Sequence, residues 1–191
     1  MKRRIAILCC IACFHLAGCD LARPAVEIRS YLPAPLTKRA SAPLDARLGR
    51  FEVAPAFEAK QLVWRFSETR YENDFYNELL STPREMLMNR TAEWFGIEDG
   101  SVQLGLPLTP YLLEAYIPEL YGDVRNRPGE AVLRMHFKLT ASQPAPRVIF
   151  EREYAERVTL AAAQPEALVK AWGIAHERIL ARLQADLPRR P

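Results

Sequence analysis

The chain has 191 residues, 49% of them apolar and 26% charged, which suits a single domain with a sizeable core. Its formal charge of +3 belongs to the start: without Lys2, Arg3 and Arg4 the 26 basic residues fall level with the 23 acidic ones. A balanced domain offers no electrostatic footprint for nucleic acid and no broad patch for anionic lipid.

The first element is a leader. "MKRR" supplies a positive start and "IAILCCIACFHLAG" an apolar run, the pattern of a secretory signal. The run is shorter than the ~20 residues needed to span a bilayer. It ends in Leu16-Ala17-Gly18-Cys19, which resembles the lipobox of bacterial lipoproteins. That resemblance implies cleavage between Gly18 and Cys19, with a covalent diacylglycerol and an N-acyl lipid on Cys19. A thiol is the nucleophile suited to take the lipid. Cys9, Cys10 and Cys13 leave with the leader, and no cysteine follows Cys19, so no disulfide framework is expected. The expected organisation is a signal peptide over 1–18, a lipidated tether over 19–25 and one domain over 26–191.

The domain opens with "VEIRSYLPA", whose Val26, Ile28 and Tyr31 predict a first strand. "PAPLTKRASAPLDA" then reads as an exposed loop. "RFEVAPAF" predicts a second strand that stops at Pro55. "KQLVWRFSE" predicts a third, with Leu62, Trp64 and Phe66 on one face and Val63 and Arg65 on the other. "YENDFYNELL" has no clear period and reads as loop or one helical turn. A helix start follows: Thr82 as N-cap, Pro83 at the first helical position and Glu85 three residues after the cap. Met86, Leu87, Thr91, Trp94 and Phe95 form its apolar stripe, and Gly96 ends it.

In the second half, "YLLEAYIPELYGDV" predicts a strand in which Pro118 marks an edge or a bulge. "AVLRMHFKLTAS" alternates cleanly. Ala131, Leu133, Met135, Phe137 and Leu139 point inward, while Arg134, His136, Lys138 and Thr140 point outward. "RVIFEREYAERVTL" predicts a sixth strand with Val148, Phe150 and Tyr154 on one side. These three strands read as an antiparallel meander. A final helix from Gln164-Pro165 carries the stripe Leu168, Trp172, Ala175, Ile179 and Leu183. The expected fold is α+β: a largely antiparallel sheet of about six strands, two amphipathic helices packed on one face, and a polar outer face.

The search for chemistry yields little. His136 lies between Arg134 and Lys138, and His176 lies beside the last helical stripe; both read as surface histidines. Glu151 and Glu153 share a strand face near Arg152 and Arg157, and read as a solvated pair. There is no His-x-x-x-His, Cys-x-x-Cys, phosphate loop or Gly-x-Ser-x-Gly, so no metal or catalytic residue is expected. Trp64, Phe66, Tyr71, Phe75 and Tyr76 read as core packing, with a ligand groove as the sharper alternative. The reading is a binding or assembly module rather than an enzyme.

Four features together resemble the ABC-type transport auxiliary lipoproteins, the paraquat-inducible C-type (PqiC-like) group. They are the lipobox with its following "SYLPAP", the run "FEVAPAFEAKQLVWRFSETRYE", the aromatic segment and helix "FYNELLSTPREMLMNRTAEWF", and the meander with its terminal helix. The chain has "NELL" where members often carry a tryptophan before the helix proline. The resemblance implies a lipid-anchored, non-catalytic component that faces the periplasm. Its partners would be an MCE-type periplasmic protein and its ABC transporter, in phospholipid traffic. Arg70, Tyr71, Phe75 and Tyr76 are the candidate partner-binding residues, since aromatics and arginine are favoured anchors. Homo-oligomerisation stays open, as does the membrane: Asp20 after the anchor favours the inner one in enteric bacteria, whereas better-known members are outer-membrane proteins. The competing reading is a lipoprotein scaffold or activator of a cell-wall enzyme.

Overall fold

The computed structural model describes residues 27–97, 110–142 and 144–188. In chain order the elements are β1 (Arg29–Tyr31), β2 (Ala46–Val53), a 3-10 turn (Pro55–Phe57), β3 (Gln61–Arg65), β4 (Tyr71–Leu79), α1 (Pro83–Phe95), β5 (Tyr111–Asp123), β6 (Glu130–Ala141), β7 (Arg147–Thr159) and α2 (Pro165–Asp186). The seven strands form one sheet in the order β1-β4-β3-β5-β6-β7, with β2 also pairing with β5.

The fold is α+β, but the sheet is mixed, which corrects the largely antiparallel expectation. β1 with β4, β2 with β5 and β3 with β5 are parallel; β3 with β4, β5 with β6 and β6 with β7 are antiparallel. A parallel neighbour needs a long crossover, and β3, β4 and α1 supply it between β2 and β5. The extra strand is β4, formed by the segment read as loop or helical turn.

β5 is the spine. Its first half pairs with β2 as far as Val53–Ile117, and its end pairs with β3 at Trp64–Gly122 and Arg65–Asp123. Pro118 sits where one neighbour gives way to the next. On the β6 side the register shifts between Tyr116 and Glu119. Pro118 thus marks a bulge inside the sheet, a position that does not need its missing N–H.

The meander forms as expected. Leu133, Met135 and Phe137 are fully buried, while Arg134, His136 and Lys138 are half-buried on the outer face. One side chain departs from the pattern. Leu139 pairs with Phe150 but Thr140 pairs with Val148, so Ile149 is an extra residue. Val148 is thereby turned to the outer face and exposed.

Both helices pack on the inner face of the sheet and share one core cluster with it. α1 starts with the complete capping box of Thr82 and Glu85, and Gly96 closes it at φ 61°. α2 buries the expected stripe together with Val169, Ala171, Leu180 and His176. His176 is fully buried, which corrects the surface reading. α2 is covered by the sheet on one side and α1 on the other, so its buried face is wider than one stripe.

The proline-rich segment after β1 is a strap rather than a free loop. The amide of Ala40 donates to the Trp94 carbonyl (2.8 Å) and that of Leu44 to the Phe95 carbonyl (3.0 Å). Arg90, buried in α1, donates to the Ala34 carbonyl (2.6 Å), and Glu177 of α2 accepts from the Thr37 amide (3.1 Å).

Candidate functional site

Gly18, Cys19 and the leader lie outside the described residues, as does Val26. Among the described residues no helix is long and apolar enough to cross a membrane.

The aromatic segment owes its shape to β4. The β3–β4 ladder steps from Gln61–Glu78 directly to Val63–Asn73, so β4 carries three more residues than β3 over that span and bulges outward. Asp74 closes the bulge. Its Oδ1 accepts from the amides of Tyr76 and Asn77 (both 3.1 Å) and from Asn77 Nδ2 (2.9 Å). Asn77 Oδ1 in turn accepts from the Tyr31 hydroxyl at 3.0 Å, tying the bulge to β1. At the crest Phe75 is 75% exposed, with Tyr76 exposed beside it.

The β1–β4 register extends this surface. Arg29 pairs with Asn77, Ser30 with Glu78 and Tyr31 with Leu79. Leu79 is buried. Alternation therefore sends Tyr76 on β4, Leu80 just after it, and Ile28 and Leu32 flanking β1, to the other side. All four are more than half exposed.

Arg70 and Tyr71 are placed differently. They end the β3–β4 turn, where Ser67 Oγ accepts from the Thr69 and Arg70 amides (3.3 and 3.0 Å). The Arg70 guanidinium lies 4.8 Å from the centre of the Phe66 ring and pairs with Glu72 at 3.1 Å. The Tyr71 ring packs edge-on against Tyr121 (5.4 Å between centres) and Phe57 (6.4 Å), under the Arg65 guanidinium. Burial and the neighbouring Tyr121 raise its pKa above the ordinary tyrosine value. The five aromatics therefore divide. Trp64 is core, Phe66 and Tyr71 belong to the turn and the outer face, and Phe75 and Tyr76 stand in solvent. A cleft of about 570 Å³ is lined by Trp64, Phe66, Asn77 and Val124, but not by Tyr71, Phe75 or Tyr76. The five rings do not converge on one groove.

The outer face of β5–β6–β7 is an ion-pair ladder. Lys138 meets Glu114 (2.7 Å), His136 meets Glu151 (3.2 Å), and Arg134 bridges Glu119 and Glu153 (both 2.7 Å). Glu151 and Glu153 thus pair across the ladder with β6. Arg152 instead pairs with Asp186 (2.8 Å), and Arg157 with Glu130 (3.0 Å). Asp123 stands at the end of this ladder with its pKa lowered, chiefly by hydrogen bonds from Arg125.

Between the helices lies a second polar group. His176 Nε2 is 3.3 Å from Thr91 Oγ1, whose hydroxyl donates to the Leu87 carbonyl at 2.8 Å. Burial, with help from Arg90, pushes the imidazole pKa down to about 3. Sequence reasoning missed this histidine. Its signal was the four-residue spacing from Trp172 and to Leu180, which continues the buried face.

These features define a class: a mixed-sheet α+β domain with both helices on one face and an apolar strip along its β1–β4 edge. The same architecture occurs in a crystal structure of a Xanthomonas campestris protein of the DUF330 family. That protein is 15% identical, the match covers 82% of this chain and 88% of that one, and the TM-score is 0.62. It occurs again in the crystal structure of an uncharacterized protein, 15% identical over 85% of this chain and 100% of that one, with a TM-score of 0.65. No family model and no curated protein sequence matches the chain. At this level of identity the likeness is one of fold.

Proposed function

We propose that the protein is a periplasm-facing lipoprotein, held to a membrane by Cys19, that acts by contact as a non-catalytic auxiliary component of an ABC/MCE-type lipid transport system. The observation that carries the reading is that a chain opening on a lipobox folds as a DUF330 protein does over 82% of its length. The surface supports it by offering contact groups: rings and a guanidinium outside the core. We assign the protein partner to the turn bearing Arg70 and the exposed edge of Tyr71. Arginine and tyrosine are effective anchors there: tyrosine presents a flat apolar ring with a polar end, and arginine a planar guanidinium on an apolar stem.

The test is detergent extraction of the full chain from its own membranes, followed by identification of what co-purifies. Recovery of an MCE-type protein encoded beside it, reduced by Arg70→Ala at unchanged melting temperature, is the expected result. Recovery of a cell-wall synthase instead, or of neither, overturns the transport reading.

A further inference from the structure

We propose that the β1–β4 edge, with Phe75 and Tyr76 at its crest, rests in the interfacial layer of the membrane that holds the anchor. This inference rests on lipidation at Cys19.

The first ground is concentration of apolar surface. Ten large hydrophobic residues are exposed among the described residues, and five of them, Ile28, Leu32, Phe75, Tyr76 and Leu80, lie on this one ribbon. The register groups four of them on one side, and the bulge places Phe75 at the crest. Scattered apolar residues are ordinary on a surface, whereas a contiguous patch marks a contact.

The second ground is reach. Ile28 follows Cys19 by nine residues, and an extended chain spans at most ~3.3–3.6 Å per residue. The strip therefore cannot stand more than about 30 Å from the anchored cysteine. β7, at the far end of the sheet, lies five strand spacings away, or about 24 Å further at ~4.8 Å each. The edge that carries the apolar residues is the edge nearest the anchor along the chain.

The third ground is chemistry. Tyrosine suits the headgroup boundary, where one end of its ring is apolar and the other wet, and phenylalanine supplies a wholly apolar ring to bury beside it. Glu78 alternates onto the same side as Tyr76 and Leu80. It sets the depth, because a carboxylate stays at the level of water and headgroups. Asp74 turns its carboxylate inward onto the bulge amides, so it does not oppose the contact. Lys60 reaches across to the Leu80 carbonyl at 2.9 Å, which places one cation beside the strip.

The mature chain provides its own probe site. The thiol of Cys19 is consumed by the lipid, so Phe75→Cys carries one reactive sulfur, and Tyr76→Cys gives an independent second position. Each full-length lipidated variant is labelled with a nitrobenzoxadiazole dye and reconstituted into phosphatidylcholine vesicles, with Val148→Cys on β7 as the reference. The expected result is a blue shift and rise in emission at positions 75 and 76, quenched by lipid carrying a shallow nitroxide, with no change at 148. Water-like emission at 75 and 76 in protein that floats with the vesicles overturns the edge contact and leaves the anchor standing. Protein that carries no lipid and fails to float overturns the anchor and this inference with it. A blue shift that needs a second protein or rises with protein concentration in detergent, without vesicles, assigns the strip to a protein surface and also overturns it.

Discussion

Gly122 and Trp64 are ladder partners across β3 and β5, and the indole occupies the space a side chain on Gly122 would take. A Cβ at that position would lie 2.5 Å from Trp64 Cε3 and 3.1 Å from Leu168 Cδ1. The glycine is the recess into which the tryptophan folds, beneath α2. Gly122→Ala should therefore destabilise the domain by about 1–3 kcal/mol through overpacking. In chemical denaturation, Trp64→Leu combined with Gly122→Ala should cost less than the sum of the two single changes, because the smaller side chain vacates the contested space. Additive costs would show that the two residues do not compete.

The register of β6 makes a second contrast. Phe137 is fully buried against Tyr154, whereas His136 faces out toward Glu151. Phe137→Ala should cost about 3–5 kcal/mol. His136→Ala should cost at most about 1 kcal/mol, the range of a surface ion pair. Reversed costs in equilibrium unfolding would mean a register shifted by one residue.

His176 gives the protein an acid sensitivity of definite sign. Its folded pKa, about 3, lies below the ordinary value of 6.5, so the unfolded chain takes up the proton first. The histidine's stabilising contribution is complete above about pH 6.5 and is lost as the pH falls toward 3, with a limiting slope of about 1.4 kcal/mol per pH unit. Asp123 and Asp186 have lowered values, so their contributions fade only at the acid end. Between pH 6.5 and 4.5, unfolding free energies of His176→Leu should decline less steeply than those of the unmodified protein. Parallel curves would refute the assignment.

Lipidation has a direct chemical readout. Fatty acid fed to growing cells should label the protein, and Cys19→Ala should abolish the label and leave an uncut precursor. Replacement of Cys9, Cys10 or Cys13 should leave labelling intact, since the proposed cleavage before Cys19 would remove all three. Label retained on Cys19→Ala would remove the anchor.

Elements whose signal is local were legible in the sequence. The capping box of α1, the terminator Gly96 and the alternation of β6 each depend on neighbours within a few residues, and each formed as expected. What escaped depends on distant partners. β4 was hidden because its three extra residues break the two-residue period at Asp74, and the hydrogen bonds that compensate come from within the bulge and from Tyr31 on another strand. The parallel pairings were hidden because order along the chain favours hairpins, whereas β5 takes its neighbours from β2 and β3 across α1. His176 was misplaced because helical spacing reveals one covered side and α2 has two. The four residues named as candidate contacts lie in two settings: Phe75 and Tyr76 project from the bulge, whereas Arg70 is held at the β3–β4 turn by Glu72 and the Tyr71 ring is engaged by Tyr121 and Phe57.

The strap behind β1 gives the domain a mechanical grain. Tension applied at its N-terminal end meets β1 first, and β1 grips β4 over only three ladder pairs, aligned in parallel so that the load shears them together. Beyond Tyr31 the same backbone is clasped at Ala34 by Arg90 and at Thr37 by Glu177, and is then sewn to the end of α1 at Ala40 and Leu44. A pull that frees β1 is therefore arrested at the helices before it reaches the core. Under such a load the first strand should yield before the helices and the rest of the sheet do.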